Sequence, residues 1–366
     1  MSRFPRGLRL LCASAFTLAA CGGGGDTGPK LAKLSNPANT AAQLQFVSAP
    51  FATGAFESFA ALHQHFGAAI SGAPAAATRG AGAAVSSWAV APGHALAWNP
   101  AAIRALREAL ASRPLAAGIF PDSARGKTFS WDETAARYVA STAAGAPANG
   151  ARFLLYATSP PTIEPSRPLT VIGYVDLTDQ STPGARVLRV ATVGTTGATA
   201  LTYATYTISR QSAQSAAWAL EGFVTDGVTR LDLTSALTAT FTQLTVQTAA
   251  DVAGEGVHVS ENGTVSSTFA VGTDFSLTSG DETVRANGTV TFDTTAHTLT
   301  GSLAVTVNGQ AFATIAVGPA GPSYTGASGV QLAPADEAAL RNLFSASLDL
   351  LAGITVLTDP AWVLKL

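Results

Sequence analysis

Over the last two-thirds of the chain, apolar and polar residues alternate with a period of two. From about Thr128 onward, short runs rich in Val, Thr, Tyr and Leu follow one another, broken by Gly, Asn and Asp. Such alternation sends every second side chain to the same face of a pleated strand, so it predicts half-buried strands. Phe129 and Trp131 lead into Asp132-Glu133 and the chain returns through Tyr138, which reads as a hairpin. Residues 153–156 and 171–175 are apolar on both faces and are expected to be central strands. Further strands are expected over 187–193, 201–209, 218–224 and 231–246. Asp226-Gly227, Asn262-Gly263, Asn287-Gly288 and Asn308-Gly309 are expected to be turns, because these residues tolerate the positive φ of two-residue hairpins. The clearest hairpin runs through Leu303, Val305 and Val307 into Asn308-Gly309 and returns at Phe312. Asn-Gly-Thr-Val occurs at 262–265 and again at 287–290, but the flanks differ, so it reads as shared turn chemistry and not as a repeat.

Elsewhere the period is that of a helix. Phe56, Phe59, Phe66 and Ile70 fall near one face of a helix over 55–70. Asn99-Pro100 makes an N-cap with proline in the first turn. Ile103, Leu106 and Leu110 then form a stripe, Arg104 and Glu108 stand four apart, and Pro114 closes the segment. The last helix is expected over 334–353: Pro334 in its first turn, Asp336 and Glu337 at the positive end of its dipole, and Leu340, Leu343, Phe344, Leu348 and Leu351 along one face. Gly353 is expected to cap it. The expected fold is mainly β (α+β): a large antiparallel meander sheet, curled into a half-barrel or folded as a sandwich. Two N-terminal helices precede the sheet and a C-terminal helix packs on it. Residues 46–125 form the helical N-terminal segment and 126–366 the β region, one domain together.

The first residues carry a different pattern. Arg3, Arg6 and Arg9 form a basic segment, and Leu10 to Ala20 an apolar core of 11 residues, long enough for a secretory signal and too short to span a bilayer. Leu18-Ala19-Ala20-Cys21 follows, then Gly22 to Gly25. This stretch resembles the signal of bacterial lipoproteins with its lipobox. The resemblance implies cleavage between Ala20 and Cys21, lipid on the Cys21 thiol, a signal peptide over 1–20 and a flexible Gly-rich tether over 21–45. Gly22 in the second mature position, in place of Asp, implies the outer membrane, on its periplasmic face or at the cell surface. Residues 145–156 and 172–179 are similar to lipoproteins of environmental bacteria, a likeness that implies no particular activity.

Composition narrows the functions. Loss of residues 1–20 removes three arginines and no acid, leaving 18 basic against 23 acidic residues and a net charge of about −5. A nucleic-acid partner, which needs a basic face, is therefore not expected. Cys12 lies within the signal, so Cys21 is the one thiol left and no internal disulfide is expected. The segment 80–103 is uncharged but holds Gly82, Pro92, Gly93, His94, Asn99 and Pro100, which together argue against a membrane span.

Chemistry-bearing motifs are sparse. No Gly-x-Ser-x-Gly is present. Five histidines (His63, His65, His94, His258 and His297) are scattered, and the one close pair, His63 and His65, sits two apart in an expected helix, where the side chains diverge. Arg125-Gly126-Lys127-Thr128 matches the end of a phosphate-binding loop, but Pro121 stands where its first glycine belongs and a strand follows. Trp98, Trp131, Trp218, Tyr174, Tyr203 and Tyr206 could stack on sugars, but such density more often marks core and cross-strand pairs. No catalytic residue, metal or cofactor is expected. The preferred reading is a non-enzymatic, lipid-anchored envelope protein with a structural or interaction role and the membrane as its partner. The alternative is a carrier of an apolar ligand or lipid in a half-barrel. An outer-membrane barrel is disfavoured by Thr and Ser on the exposed strand faces, and a hydrolase comes last.

Overall fold

The computed structural model describes residues 32–71, 119–158, 164–195, 200–210, 216–240, 242–266, 270–293 and 298–363. Cys21 and its signal, Trp98, the 80–103 segment and the helix expected from Asn99 lie outside them.

The first helix, α1 (Pro37–Ser48), begins inside the stretch expected to be tether. Asn36 Oδ1 accepts a hydrogen bond from the Asn39 N–H at 3.1 Å, and Pro37 stands in the first turn. That is the chemistry of a helix N-terminus, so the polar run Asn36-Pro37-Asn39 is a cap and not a linker. A 3₁₀ turn (Ala49–Ala52) leads into α2 (Gly54–Ser71), where Phe56, Phe59, Phe66 and Ile70 are buried as their spacing predicts.

The strands then follow in chain order. They are β1 (Lys127–Asp132), β2 (Arg137–Ser141), β3 (Gly150–Tyr156), β4 (Val171–Asp179) and β5 (Val187–Gly194). Next come β6 (Leu201–Arg210), β7 (Ala216–Thr225), β8 (Arg230–Ala239), β9 (Gln243–Val252) and β10 (Val257–Ser266). The last five are β11 (Ala270–Ser279), β12 (Glu282–Asp293), β13 (Thr298–Val307), β14 (Gln310–Gly318) and β15 (Gly321–Gly326). Among the described residues these 15 strands form one open, mixed sheet. Each strand from β3 to β14 pairs antiparallel with the next. β1 pairs antiparallel with β2 and parallel with β3, which leaves β2 and β15 at the edges.

The expected hairpin places Trp131 opposite Tyr138. The run expected as one strand over 231–246 is two, β8 and β9. Thr240 turns the chain between them by accepting the Gln243 N–H on its Oγ1 at 3.1 Å, a turn with no Gly, Pro, Asn or Asp to announce it. Two of the four expected turns are turns. Asp226 Oδ1 accepts from the N–H groups of Val228 and Thr229, and Asn308 and Gly309 both take positive φ (51° and 77°). Asn262-Gly263 and Asn287-Gly288 instead lie inside β10 and β12, in unbroken register with β9 and β13. The alternation of Val257, Val259 and Val265 runs straight through the first pair, and the second lies between Val284 and Val290 in the same phase. Cross-strand packing on an apolar face outweighed local turn propensity there.

Burial alternates along the strands. In β9, Leu244, Val246, Thr248, Ala250 and Val252 are buried, while Gln243, Gln247, Ala249 and Asp251 are exposed. The sheet thus has one apolar face and one polar face, the latter rich in Thr and Ser. Buried side chains of the apolar face and of the three described helices (α1, α2 and the C-terminal helix) belong to a single hydrophobic cluster.

The last helix, α3 (Pro334–Val363), is ten residues longer than expected at its C-terminus. Gly353 does not cap it. A β-carbon on Gly353 would lie 2.4 Å from Cε1 of Phe51, and one on Gly263 would lie 2.5 Å from Cδ2 of Leu351. Both glycines make room for a close approach and neither is a break. Pro360 also sits within α3. By length and composition α3 could cross a bilayer. It carries Asp336, Glu337, Arg341, Asp349 and Asp359, however, and Leu340, Leu343, Leu350, Leu351, Ile354 and Leu357 are buried in the common core. Asn342 ties it to α1 by donating to the Ala41 carbonyl at 3.0 Å.

Candidate functional site

The residues singled out in the sequence disperse. Ala20 and Cys21 lie outside the described residues, as do His94 and His297. His65, half-buried, sits edge-on to Trp131 with ring centroids 4.8 Å apart, beside Tyr138. Trp131, Trp218 and Tyr206 are buried, and the Tyr174 ring lies under the Arg152 guanidinium, 3.7 Å from it. These aromatics act as core and cross-strand packing, not as an exposed platform. Lys127 opens β1, so no helix N-terminus follows the Arg125-Gly126-Lys127-Thr128 stretch.

Two arrangements of polar groups arise from the sheet register instead. On the polar face, Asp251 of β9, His258 of β10 and Thr278 of β11 stand directly opposite one another on adjacent strands. His258 Nδ1 meets Asp251 Oδ1, the order of an acid, base and hydroxyl relay. The resemblance stops there. The Thr278 hydroxyl bonds that of Thr283 at 3.0 Å, and the His258 and Asp251 side chains are 69% and 62% exposed. The backbone around them is committed to ladders on both sides, which leaves no pair of N–H groups for an oxyanion. These residues form a solvated cross-strand pair.

The second arrangement is on the apolar face. Glu261 of β10 is completely buried, among Val259, Val265 and Phe275. Its Oε1 lies 2.7 Å from Thr273 Oγ1 of β11 and its Oε2 3.1 Å from Ser347 Oγ of α3, both within hydrogen-bond distance. The two hydroxyls lie 2.9 Å from each other. The register continues the polar row: Thr248 of β9 stands opposite Glu261, and its hydroxyl lies 2.9 Å from that of Ser235 in β8. Four strands and a helix therefore contribute Ser235, Thr248, Glu261, Thr273 and Ser347 to a buried polar stripe across an apolar surface.

Burial disfavours the charged form, so the Glu261 carboxyl is pushed up to about 7, against the pull of hydrogen bonds from Thr273, Ser347 and the Asp274 backbone; Asp274 also repels it. Proton counting agrees with that direction. The three short oxygen–oxygen contacts need three protons, one each. Two hydroxyls supply two, and the third is present only when Glu261 is a neutral acid. Among the described residues no group of three His, Cys, Asp or Glu side chains could hold a metal, so this carboxyl has hydroxyl partners and no fellow ligands.

Sequence reasoning missed this cluster although its signal was there. Glu261 keeps the phase of Val257, Val259 and Val265, and Thr273 that of Val271, Phe275 and Leu277. Ser347 continues the stripe of Leu343 and Leu351 at a spacing of four. A carboxylate in phase with an apolar face is a buried carboxylate. No protein-family model, no curated protein and no solved structure matches this chain.

Proposed function

We propose that the chain is a lipid-anchored protein of the bacterial envelope, held in the outer membrane through Cys21, with a structural or interaction role and no catalytic one. The observation that carries the address is the ordered signal: three arginines, 11 apolar residues, Leu18-Ala19-Ala20-Cys21 and the glycines after it. The division of the sheet supports the role. The chain's own helices share the core of the apolar face, with α3 as its cover, and the polar face presents paired side chains such as Arg152–Asp176 and Arg285–Asp274. On this reading the polar face is the surface offered to partners. One acyl chain anchors only marginally, at about 0.8 kcal/mol per buried CH₂, whereas two or three hold firmly. Labelled palmitate should enter the native protein and not the Cys21→Ser variant, which should leave the membrane fraction or accumulate with its signal uncleaved. Unchanged fractionation and processing of that variant would sink the reading.

One observation favours the carrier reading in second place. Tyr206 Oη and Thr192 Oγ1, on neighbouring strands of the apolar face, are buried without a hydrogen-bond partner among the described residues. Burial holds the Tyr206 hydroxyl firmly protonated. On the carrier reading, the polar head of an apolar ligand would pair with the Tyr206 hydroxyl. Mass spectrometry of the natively purified protein separates the readings: a stoichiometric lipid, lost in Tyr206→Phe, favours a carrier in which α3 acts as a lid.

A further inference from the structure

We propose that Glu261 is a proton-operated latch between α3 and the sheet: neutral, it closes a ring with Thr273 and Ser347, and ionised, it loosens α3 from β10 and β11.

The geometry carries this. With the proton present, each of the three contacts at 2.7, 2.9 and 3.1 Å holds one hydrogen, and every polar atom of the ring is satisfied inside the core. Without it, both hydroxyls turn to the carboxylate and the Thr273–Ser347 contact brings lone pair against lone pair. A negative charge then sits in a fully buried position, and no cation is among the described groups that act on it. The groups facing it from each packed element confirm the isolation. β9 offers Thr248, which is neutral. β11 offers Thr273 and Phe275 on the same face and Asp274 on the other, a carboxylate that repels the charge and is itself held by Arg285. From α3 come Ser347 and, two residues on, Asp349, another acid. The cheapest response to the charge is to let water reach it, and α3 is the one side of the site not fixed by a strand ladder. Ser347 moves with α3, and so does Gly353, the seat of Phe51.

A buried acid with a raised pKa favours folding most when the proton is bound. The contribution is complete below the unfolded-state value of 4.5 and is lost as pH rises to about 7. Across that window the folding equilibrium attributable to Glu261 falls about tenfold per pH unit. Glu261→Gln keeps a neutral group with donor and acceptor and removes the ionisation.

The test is hydrogen exchange of the α3 amides in the purified full chain between pH 5 and 8.5, corrected for intrinsic exchange. We expect protection over residues 343–354 to fall by ten-fold or more across this range in the native protein and to stay flat in Glu261→Gln, while β13–β14 amides respond equally in both. A carbon-13 label in glutamate supplies a check that does not depend on the variant's stability: one carboxyl resonance should titrate near 7. A resonance titrating near 4.5, or α3 protection that falls alike in both proteins, overturns the latch. Loss of protection throughout the sheet together with α3 also overturns it, because Glu261 would then be a global stability element.

Discussion

Phe51 occupies the space that a side chain at position 353 would need: a β-carbon on Gly353 would lie within 2.4–2.8 Å of three atoms of its ring. The 3₁₀ turn after α1 is thereby keyed into α3, and the two residues are coupled. In an α-helix alanine is favoured over glycine by about 1 kcal/mol, but overpacking a filled site costs about 1–3 kcal/mol. Gly353→Ala should therefore destabilise the native protein, read as a lower denaturation midpoint. In a Phe51→Ala background the same change should stabilise, by up to about 1 kcal/mol. A Gly353→Ala effect of the same sign in both backgrounds would show that the two residues do not compete for the space.

The dipeptide Asn-Gly should behave differently at its different positions. Asn308 has φ 51° and its Oδ1 accepts the Thr283 N–H at 2.8 Å. Asn308→Ala should cost about 1–2 kcal/mol from the left-handed backbone and the lost hydrogen bond. Asn262 is exposed and extended within β10, so Asn262→Thr should be neutral or slightly stabilising. Urea titrations of the two variants settle this.

Leu343 and Phe344 test whether α3 is structural cover or a movable lid. Both are buried, and truncation of either to alanine should cost about 2–5 kcal/mol if α3 completes the core. Smaller losses, accompanied by altered uptake of an apolar fluorescent probe, would mark a lid.

Acidification should reveal a carboxylate of opposite character to Glu261. The Arg285 guanidinium, 2.5 Å from Asp274, holds that carboxyl below its ordinary value. Its contribution to folding is present above the unfolded-state value of 3.8 and is lost as pH falls below it. Asp274→Asn should thus flatten the fall of stability below the unfolded-state value of 3.8. Because the pair is partly solvated, the effect should be modest and weakened by salt.

Chelators and reductants should leave the thermal melt unchanged, since the described residues bring no metal-ligand set together and the chain has no cysteine beyond Cys12 and Cys21. A shift of several degrees with EDTA would reveal a bound ion.

Periodicity made the β-rich class, the meander, α2 and the core face of α3 legible, because burial of one face dictates residue type every second or every fourth position. Local chemistry was less legible. Asn36-Pro37 was as good a cap as Asn99-Pro100, yet it reads as linker because polar residues surround it. Asn262-Gly263 and Asn308-Gly309 carry the same turn preference, and only the flanking phase separates a strand interior from a turn. Gly353 looks like a terminator until Phe51, about 300 residues away, is placed against it. Glu261, Thr273 and Ser347 are ordinary residues one by one, and only the register of β10 with β11 and the contact of Ser347 with both make them a cluster.

The bond from Asn342 to the Ala41 carbonyl joins positions 301 residues apart. In between, nearly every strand pairs with its sequence neighbour, so the meander can zip up progressively as chain becomes available. α1 has no such local partner, and its mate in the core, α3, follows the whole sheet in sequence. Closing so long a loop is entropically tolerable, because the cost grows only with the logarithm of length. It does impose an order of events. An emerging polypeptide can assemble strand after strand and still show a bare greasy surface until α3 docks. Removal of α3 should therefore yield a sticky, chaperone-dependent sheet in place of a slightly smaller protein, because the apolar face would lose the helix that shares its core.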